Sequence, residues 1–533
     1  MNLPFLRGAA RLLALSATAA VTGCTTMATD PAKTGPVAGQ VPVILSITSN
    51  TGQVRGTDLI HLARFDTPGA ATAAAGSQSY TLRRVAAGIG RDTAAFVGNL
   101  PPGEYELTQF LDLGTHKSLR LGDSQRAALG RFTVAGSAAV DLGRVIITPL
   151  NEKVLVGHST SLPSNRALLP RLPADYARLF AGTAGQAWSV APEAALPVER
   201  YALNRPVGAD CVTELADGRV VAASRLGALL VRATDGRWSA LRGPSLESLL
   251  CVSPVALPDA DLLAVGEYGT LLRHAPNGDK LIPVDTGNLP PGDLVRIEGS
   301  AGAGWYVAHR DGSALTIFRS DRLEAGDWQV VARESLAFSF WHGGVGFWMW
   351  PTKDGFGYST SAGPLRFLDF ATRQWRERAL PDNRRLIDIR HSPTGLLSVL
   401  TSPGGGMGGI FAKVHTSLDG GEHWTAIESP FKVVISPVTQ LANGTMLMYG
   451  GAMTQAELQS STDNGKTWSR LADYQHGQVF HALKSGLLVD ADLGQFGIFD
   501  LRSSGDGGRH WKIEYTTFDR AFYEQQKARD GKK

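Results

Sequence analysis

The chain has 533 residues, with 52 Lys and Arg against 49 Asp and Glu and a formal net charge of +3 at pH 7. Two of these positive charges lie in the first 23 residues, so the rest is close to neutral. This balance excludes a strongly basic nucleic-acid-binding surface and a polybasic membrane patch. The 61 glycines and the many short β-branched segments bounded by turn residues predict an all-β protein.

The first residues have the pattern of an export signal. Arg7 and Arg11 precede an apolar run over residues 12–21, which is too short to span a membrane, and Cys24 follows it. This pattern resembles a bacterial lipoprotein signal peptide, which implies cleavage before Cys24 and acylation of that cysteine. Thr25 stands where Asp would retain such a lipoprotein at the inner membrane, so the resemblance implies the outer membrane. An ordinary secretory signal with a chance cysteine is the alternative.

Residues 1–23 are therefore predicted to be removed as a signal peptide. Residues 24–40 are predicted to form a flexible tether, because they are rich in Thr, Pro, Gly and Ala and have little to bury. The mature chain would be exported to the cell envelope and held at the membrane by its acyl chains, without a spanning segment.

Residues 41–156 alternate apolar and polar positions in seven or so short segments separated by turn residues. This alternation predicts a β-sandwich domain. The phrase Leu-Pro-Pro-Gly-Glu-Tyr-Glu-Leu at residues 100–107 and the phrase Phe-Thr-Val-Ala-Gly at residues 132–136 resemble the carboxypeptidase-regulatory or prealbumin-like modules of surface proteins. A spacer or docking module is expected, because no His, Cys or carboxylate cluster in this stretch has metal-ligand spacing.

Residues 157–205 are predicted to form a linker, because proline recurs through this stretch. A short helix is expected at residues 175–180. The segment around Trp188 is strand-like, and it could belong to the repeat region that follows.

Residues 206–516 repeat with a period of 43 to 49 residues. Most units contain a strand, a tight turn with glycine and a second strand, and each ends in a turn followed by a large apolar residue. These residues are Trp238, Leu281, Trp328, Trp375, Trp424, Trp468 and Trp511. Seven units of this length predict a seven-bladed β-propeller, with eight blades as the alternative if the Trp188 segment completes another blade.

The last three units carry a common phrase, Ser-x-Asp-x-Gly-x-x-Trp. Its residues are Ser417, Asp419, Gly421 and Trp424, then Ser461, Asp463, Gly465 and Trp468, and finally Ser504, Asp506, Gly508 and Trp511. The Asp can accept hydrogen bonds from backbone N–H groups of its own turn, and the Gly can take positive φ without a Cβ clash. The Trp is large enough to pack between neighbouring sheets.

These phrases resemble the Asp-box of bacterial neuraminidase (BNR) repeats. Together with the glycine turns they are similar to the propellers of photosystem II assembly-factor-like and sortilin-type proteins, and this resemblance implies fold rather than activity. We predict that the three Asp residues hold hairpins together. Catalysis by them is the less favoured interpretation.

Five polar residues are predicted to line the mouth of the propeller channel, on the face opposite the Asp-boxes. They are Arg225, Glu267, Tyr268, Arg310 and Lys353, which we place in turns between the second and third strands of their blades. This surface is the predicted contact site for a protein partner or a glycan of the envelope. The alternative is that the five residues are merely solvated loop tips.

The predicted function is that of a non-catalytic binding or assembly platform. The rival is a glycan-active enzyme of the sialidase type, but the Arg-Ile-Pro motif of that family is not matched by Asn204-Arg205-Pro206, and the family has six blades. A third possibility is a passive structural spacer. No cofactor and no metal are predicted, because the 12 His are scattered without ligand spacing.

Two cysteines besides Cys24 occupy matching positions at the start of adjacent units. Cys211 and Cys251 would lie on neighbouring inner strands, and an exported protein can form disulfides. Inner strands of a propeller could also be too far apart for such a bond. Residues 517–533 are predicted to be a polar tail, helical or frayed.

Overall fold

The structure, a computed structural model, describes residues 25–530 except residues 36, 51–56, 66–77, 86–91, 114–116, 184–187, 190–191, 277, 337, 340–343, 362, 384, 403–411, 452–455, 472–479 and 495–496. Cys24 and the predicted signal peptide lie outside the described residues. In the part of the chain that is described, no helix is both long enough and apolar enough to cross a bilayer.

Ten strands of the N-terminal domain form one sheet. They are β1 Thr25–Met27, β2 Val41–Ser49, β3 Leu59–Phe65, β4 Ser79–Arg84, β5 Thr93–Leu100, β6 Gly103–Asp112, β7 Lys117–Arg120, β8 Arg131–Val134, β9 Val140–Leu150 and β10 Lys153–His158. The strand order is β10-β9-β2-β5-β4-β3-β6-β7, with β1 beside β4 and β8 beside β6. The β2–β9 and β1–β4 pairs are parallel, and the others are antiparallel. The strands expected from the alternating pattern thus form one continuous sheet.

The central strands of this sheet are buried on both faces, which explains their almost continuous apolar sequence. Every residue of β2, β5 and β9 is buried. Val43 and Leu45 pack into the core of the domain. Ile44 and Val97 pack on the other side, against the segment that leads to the propeller and against Tyr268 of the propeller. The N-terminal domain and the propeller therefore share a small hydrophobic core.

The stretch predicted as a tether contains regular structure instead. Residues 25–27 form β1, and α1 follows over Pro31–Thr34 with Asp30 as its N-cap. Ala28 is buried in the domain core, so this stretch does have an apolar residue to bury. The sheet therefore begins one residue after Cys24.

The predicted linker contains two helices. Helix α3, Ala174–Leu179, lies where a short helix was expected, and α4, Pro192–Asn204, was not expected because of its prolines. Pro192 occupies the first helical position, where its missing N–H costs no hydrogen bond. Trp188 stacks on His158, meets Phe132 edge to face and donates its indole N–H to the Leu142 carbonyl. This residue therefore belongs to the N-terminal domain and not to an eighth blade. One further helix of that domain is α2, Asp123–Leu129.

The propeller has seven four-stranded blades, which confirms the predicted fold. Their strands are β11 Val212–Glu214, β12 Val220–Ala223, β13 Ala228–Arg232 and β14 Trp238–Arg242 in blade 1; β15 Leu249–Leu257, β16 Ala260–Gly266, β17 Leu271–His274 and β18 Leu281–Pro283 in blade 2; β19 Asp293–Ser300, β20 Gly304–Asp311, β21 Ala314–Ser320 and β22 Gln329–Ser335 in blade 3; β25 Phe347–Thr352, β26 Gly355–Thr360, β27 Leu365–Asp369 and β28 Trp375–Arg378 in blade 4; β29 Arg385–His391, β30 Leu397–Ser402, β31 Lys413–Ser417 and β32 Thr425–Ile427 in blade 5; β33 Thr439–Gln440, β34 Met446–Gly450, β35 Glu457–Ser461 and β36 Ser469–Arg470 in blade 6; and β37 Phe480–Ala482, β38 Leu488–Leu493, β39 Phe499–Ser504 and β40 Lys512–Thr516 in blade 7. The hairpin β23 Phe338–Ser339 and β24 Gly344–Val345 lies between blades 3 and 4.

The repeated tryptophans pack between neighbouring blades. Trp424 contacts side chains of blades 4 and 5, Trp468 those of blades 5 and 6, and Trp511 those of blades 6 and 7. Each stands just before the fourth strand of its blade. This packing explains why the period of the sequence matches the period of the fold.

The ring closes without exchange of a strand, because each blade is built from one continuous segment. Val207 and Leu230 of the first blade region pack against Phe499 and Leu501 of blade 7. A last helix, α5 Arg520–Asp530, then lies against α4. The predicted polar tail therefore contributes to the contacts that close the ring.

Candidate binding site at the propeller channel

The antiparallel strands give the propeller two chemically different faces. The turns between second and third strands lie on one face, here called the upper face. The turns between first and second strands and between third and fourth strands lie on the opposite, lower face. The inner strands β11, β15, β19, β25, β29, β33 and β37 line the channel that joins the two faces.

The Asp-box turns lie on the lower face and are held by their own side chains. Asp463 Oδ1 accepts the backbone N–H groups of Lys466 at 3.1 Å and Thr467 at 2.9 Å, and Ser461 Oγ accepts the N–H of Gly465 at 2.9 Å. Gly465 has a φ of 82°, as predicted for this position. Hydrogen bonds from Thr467 and Ser461 lower the pKa of Asp463 well below its usual value. These contacts indicate that Asp463 stabilises its own turn.

The same bonds recur around Asp419 and Asp506, which argues against a metal site there. Asp419, Glu422 and His423 place possible ligand atoms within 4.8 Å of one another. However, Asp419 Oδ1 accepts two backbone N–H groups, and its Oδ2 lies 2.6 Å from His423 Nδ1. In the next box Thr467 takes the place of the histidine. The Thr467 hydroxyl and the His423 imidazole thus make the same hydrogen bond to the Oδ2 atom of their Asp.

Three of the five predicted contact residues are covered by the N-terminal domain. Arg225 is 9% exposed and Tyr268 is 2% exposed, whereas Glu267 is fully buried. The Arg225 Nε atom lies 3.1 Å from Asp92 Oδ1, and the Tyr268 hydroxyl donates to the Thr93 carbonyl at 3.2 Å. The prediction that these three residues belong to an exposed ring is therefore wrong, because the start of β5 covers them.

Glu267 is the centre of this interface. Its Oε1 atom accepts the backbone N–H groups of Asp92 and Thr93, and its Oε2 atom accepts that of Ser248 at 3.0 Å. Burial and the neighbouring carboxylates of Asp92 and Asp293 raise the pKa of Glu267 to about 8, against the opposing effect of the backbone donors. Glu267 therefore acts as a docking residue between the domains.

The remaining two predicted contact residues, Arg310 and Lys353, lie on opposite faces of the propeller. Arg310 lies at the end of β20 on the upper face, where its Nη2 atom forms an ion pair with Asp293 Oδ2 at 2.8 Å. Lys353 is exposed, but it lies in the turn between β25 and β26. This turn connects the first and second strands, so Lys353 is on the lower face and not at the predicted surface.

An open cavity of about 180 Å³ remains at the upper mouth of the channel. Five of its seven lining residues are apolar, but polar atoms contribute almost half of its surface, and the residues come from blades 2, 3 and 4. The lining residues are Leu250, Val295, Arg296, Arg310, Leu315, Leu336 and Phe347. Arg310 is the one predicted contact residue that the structure places at this cavity.

Arg296 is the functional candidate that the sequence interpretation missed. Its Nη1 atom lies 2.7 Å from Cys251 Sγ and 3.3 Å from Cys211 Sγ, and among the described residues its guanidinium forms no ion pair with a carboxylate. Burial lowers the pKa of Arg296, partly offset by the charge of Glu298. Arg296 and Glu298 alternate with apolar residues on β19, and this alternation was the available sequence signal.

Glu298 lies two residues further along β19, on the same side of the strand as Arg296. Burial raises the pKa of Glu298 to about 7, with Arg296 opposing the shift. Further round the channel, the Arg390 Nη1 atom donates to the Phe480 carbonyl at 3.0 Å. Burial and the charge of Arg390 lower the pKa of His481 to about 4. The channel wall thus combines two guanidinium groups with a largely neutral histidine.

Cys211 and Cys251 form a disulfide between the inner strands of blades 1 and 2. Their Cα atoms are 5.0 Å apart and their sulfur atoms are 2.06 Å apart. The disulfide forms part of the channel wall beside Arg296. It links the two blades that also carry the N-terminal domain.

No family model matches the chain, and no curated protein matches it. Among solved structures, the chain is similar to a putative 6-phosphogluconolactonase from Bacteroides uniformis, at 10% identity over 57% of this chain and 94% of that chain, with a TM-score of 0.38. It is similar to YCF48 from Cyanidioschyzon merolae at 13% identity over 57% and 94% of the two chains, with a TM-score of 0.37. It is also similar to the Cps50 (Swd1) β-propeller domain of Myceliophteria thermophila at 12% identity over 56% and 96%, with a TM-score of 0.37.

Proposed function

We propose that the chain is a lipoprotein of the cell envelope that acts as a non-catalytic binding platform. In this proposal acylated Cys24 anchors it to the outer membrane, and a protein partner binds at the upper mouth of the propeller channel. The N-terminal domain covers part of the upper face at blades 1 and 2. The cavity at blades 2, 3 and 4 is then the part of the predicted contact surface that is open to a partner.

The observation that carries this proposal is the Arg296 guanidinium. A charged group that is largely withdrawn from water is costly unless an anion pairs with it. Within the described residues Arg225 and Arg310 form ion pairs with carboxylates, whereas the hydrogen bonds of the Arg296 guanidinium go to sulfur atoms and Glu298 compensates its charge only in part. A carboxylate matches a guanidinium with two parallel hydrogen bonds. We therefore expect the partner to present a carboxylate next to an apolar side chain that fits between Val295 and Phe347.

The distribution of carboxylates favours binding over hydrolysis. A glycoside hydrolase needs two carboxyl groups facing one cleft. The charges of Asp92 and Asp293 raise the pKa of Glu267, but all three carboxyl groups are buried in the contact between the two domains. Glu298 faces the channel with Arg296 as its charged neighbour. We therefore do not propose the sialidase-type activity.

The position of β1, directly after Cys24, determines how close to the membrane a lipid anchor on Cys24 would hold the protein. Because the sheet begins at Thr25, acyl chains on Cys24 would hold the N-terminal domain directly at the bilayer surface. The Cys24→Ser variant should lose incorporation of labelled palmitate and leave the membrane fraction. Unchanged labelling would refute the anchor but would leave the channel site untouched.

The binding site can be tested in intact cells with a photo-crosslinking amino acid at Phe347. We expect specific adducts with one or a few envelope proteins, and their loss when Arg296→Met is added. The same crosslinker at Lys353 on the lower face is the matched control and should give none of these adducts. Adducts that persist in a folded Arg296→Met variant would refute the role of this guanidinium.

A further inference from the structure

A second cavity lies away from the channel, where the ring closes. It has a volume of about 850 Å³ and lies between α4, α5, β40 and the start of β14. We call it the seam groove. The residues of its lining used below are Arg200, Asn204, Trp238, Tyr515, Phe522 and Gln525. Its volume is within the range of small-molecule and oligosaccharide sites.

The groove is held in shape by contacts of its own lining residues. The Tyr201 hydroxyl donates to the Thr517 carbonyl at 2.8 Å, and its ring stacks on Phe522 with centroids 4.8 Å apart. Arg205 forms an ion pair with Asp519 at 3.0 Å. These contacts join α4 to the C-terminal segment, so the walls of the groove are formed before any ligand binds.

The aromatic residues of the groove have their polar atoms bound internally. The Trp238 indole N–H donates to Glu514 Oε2 at 3.2 Å, and the Tyr515 hydroxyl donates to the Pro206 carbonyl at 2.8 Å. Both side chains, like Phe522, are only half-buried. The exposed part of each ring is therefore apolar surface in a fixed orientation. Such surfaces suit the C–H faces of sugar rings, which stack on aromatic rings.

The polar side chains around these rings supply planar hydrogen-bonding groups. Asn204 and Gln525 offer amides, which can both donate to and accept from sugar hydroxyls. The acidic side chains are already paired, Glu514 with Arg232 at 2.6 Å and Asp519 with Arg205, which directly follows α4, at 3.0 Å. Arg200 is exposed and forms no ion pair with a described residue. The groove thus has one uncompensated positive charge.

The backbone beside the groove is poorly suited to an added peptide strand. β40 is the outer strand of blade 7, and its free edge would be the place for such an addition. The Arg205 Nη1 atom, however, donates to the carbonyl of Thr516, the last residue of β40, at 3.0 Å and occupies that end of the edge. The lining therefore favours a saccharide over an extended peptide.

We propose that the seam groove binds an oligosaccharide that carries a carboxylate. Sugar rings stack on Trp238 and Phe522, the amides of Asn204 and Gln525 bind hydroxyl groups, and Arg200 pairs with the carboxylate. This site is separate from the channel mouth, and its test is independent of the function proposed there.

The proposal can be tested by calorimetric titration of the full chain in detergent. The probes are an oligomer of alternating N-acetylglucosamine and N-acetylmuramic acid, neutral chitotetraose and an acidic tetrapeptide. We expect the carboxylated oligosaccharide to bind best, at least tenfold more tightly than chitotetraose. Arg200→Glu should remove this preference, and Trp238→Phe should weaken both saccharides. Arg237→Glu, at an exposed arginine one residue outside the lining, is the matched control and should change neither.

Absence of saccharide binding to the wild type at millimolar concentration would overturn the proposal. Equal binding by the Arg200→Glu variant would overturn the assignment of a carboxylate to Arg200. Preferential binding of the tetrapeptide would replace the saccharide with a peptide ligand. Because Arg200 is exposed on α4, its variant is expected to fold, and its melting temperature checks this directly.

Discussion

The ion pair between Arg144 and Glu247 makes a quantitative prediction about how the two domains are joined. The Arg144 Nη2 atom lies 2.8 Å from Glu247 Oε1, and the two side chains are 2% and 3% exposed. Although burial alone would raise the pKa of Glu247, Arg144 and Arg171 together lower it below its usual value. Glu247 is therefore ionised at neutral pH, and the pair is a charged contact between the N-terminal sheet and blade 2.

Glu247→Gln keeps the shape of the side chain but removes its charge. Arg144 keeps the hydrogen bond from its Nε atom to Ser46 Oγ at 3.1 Å but loses the anionic partner of its buried charge. Loss of one member of a buried ion pair costs about 3–5 kcal/mol. Arg171, at 32% exposure, can be solvated and adds little to this cost. We expect the variant to weaken the association of the two domains by about 3–5 kcal/mol, because both members of the ion pair lie in the domain interface.

The assay is urea denaturation followed by tryptophan fluorescence, with small-angle scattering to detect separation of the domains. The exposed pair of Arg273 and Asp259, at 2.7 Å, is the control, and Asp259→Asn should cost less than about 1 kcal/mol. The double variant Arg144→Met with Glu247→Leu should recover most of the loss, since two apolar side chains need no charged partner. A loss below about 1 kcal/mol for Glu247→Gln, or no recovery in the double variant, would refute this reasoning.

Three further predictions follow from the same structure. Because the pKa of Glu267 is raised in the folded protein, the protonated carboxyl stabilises the docked state fully below pH 4.5, and this stabilisation is lost as the pH rises to about 8. The free energy of unfolding measured across this range should therefore decline in the wild type and not in the Glu267→Gln variant. Asp463→Ala should accelerate hydrogen exchange of the Lys466 amide in blade 6 without loss of the fold, and unchanged exchange would contradict the hydrogen-bonding role of Asp463. Peptide mapping under non-reducing conditions should recover Cys211 and Cys251 in one cross-linked species, whereas two free thiols would contradict the disulfide.

The blades could be predicted from the sequence because each repeats the same local requirements. A turn that needs positive φ selects Gly, as at Gly421 and Gly508, whose φ values are 94° and 91°. A gap between two sheets selects a large side chain, as at Trp424 and Trp511. These requirements are local in sequence, so their period reveals the number of blades.

The surroundings of the turn residues could not be predicted in this way. Arg225 and Glu267 occupy turn positions that usually face solvent, and the sequence around them does not show that Asp92 covers them. Asp92 is more than a hundred residues away and belongs to another domain. Lys353 was misplaced because its Lys-Asp-Gly turn has the composition of a turn between second and third strands, although it follows the first strand of blade 4.

The ion pairing of Arg225, Arg310 and Arg296 explains why we place the candidate site beside Arg296. Arg225 and Arg310, from blades 1 and 3, each have a buried carboxylate close by, Asp92 and Asp293 respectively. Both charges are therefore compensated within the fold, and a ligand that competed for them would have to break an existing ion pair. Arg296, which lines the cavity, forms no ion pair with a described carboxylate, although the charge of Glu298 on the same strand partly compensates it. In the function that we propose, an incoming carboxylate would pair with Arg296 without breaking an ion pair between described residues, and this would make the site selective for an anionic partner.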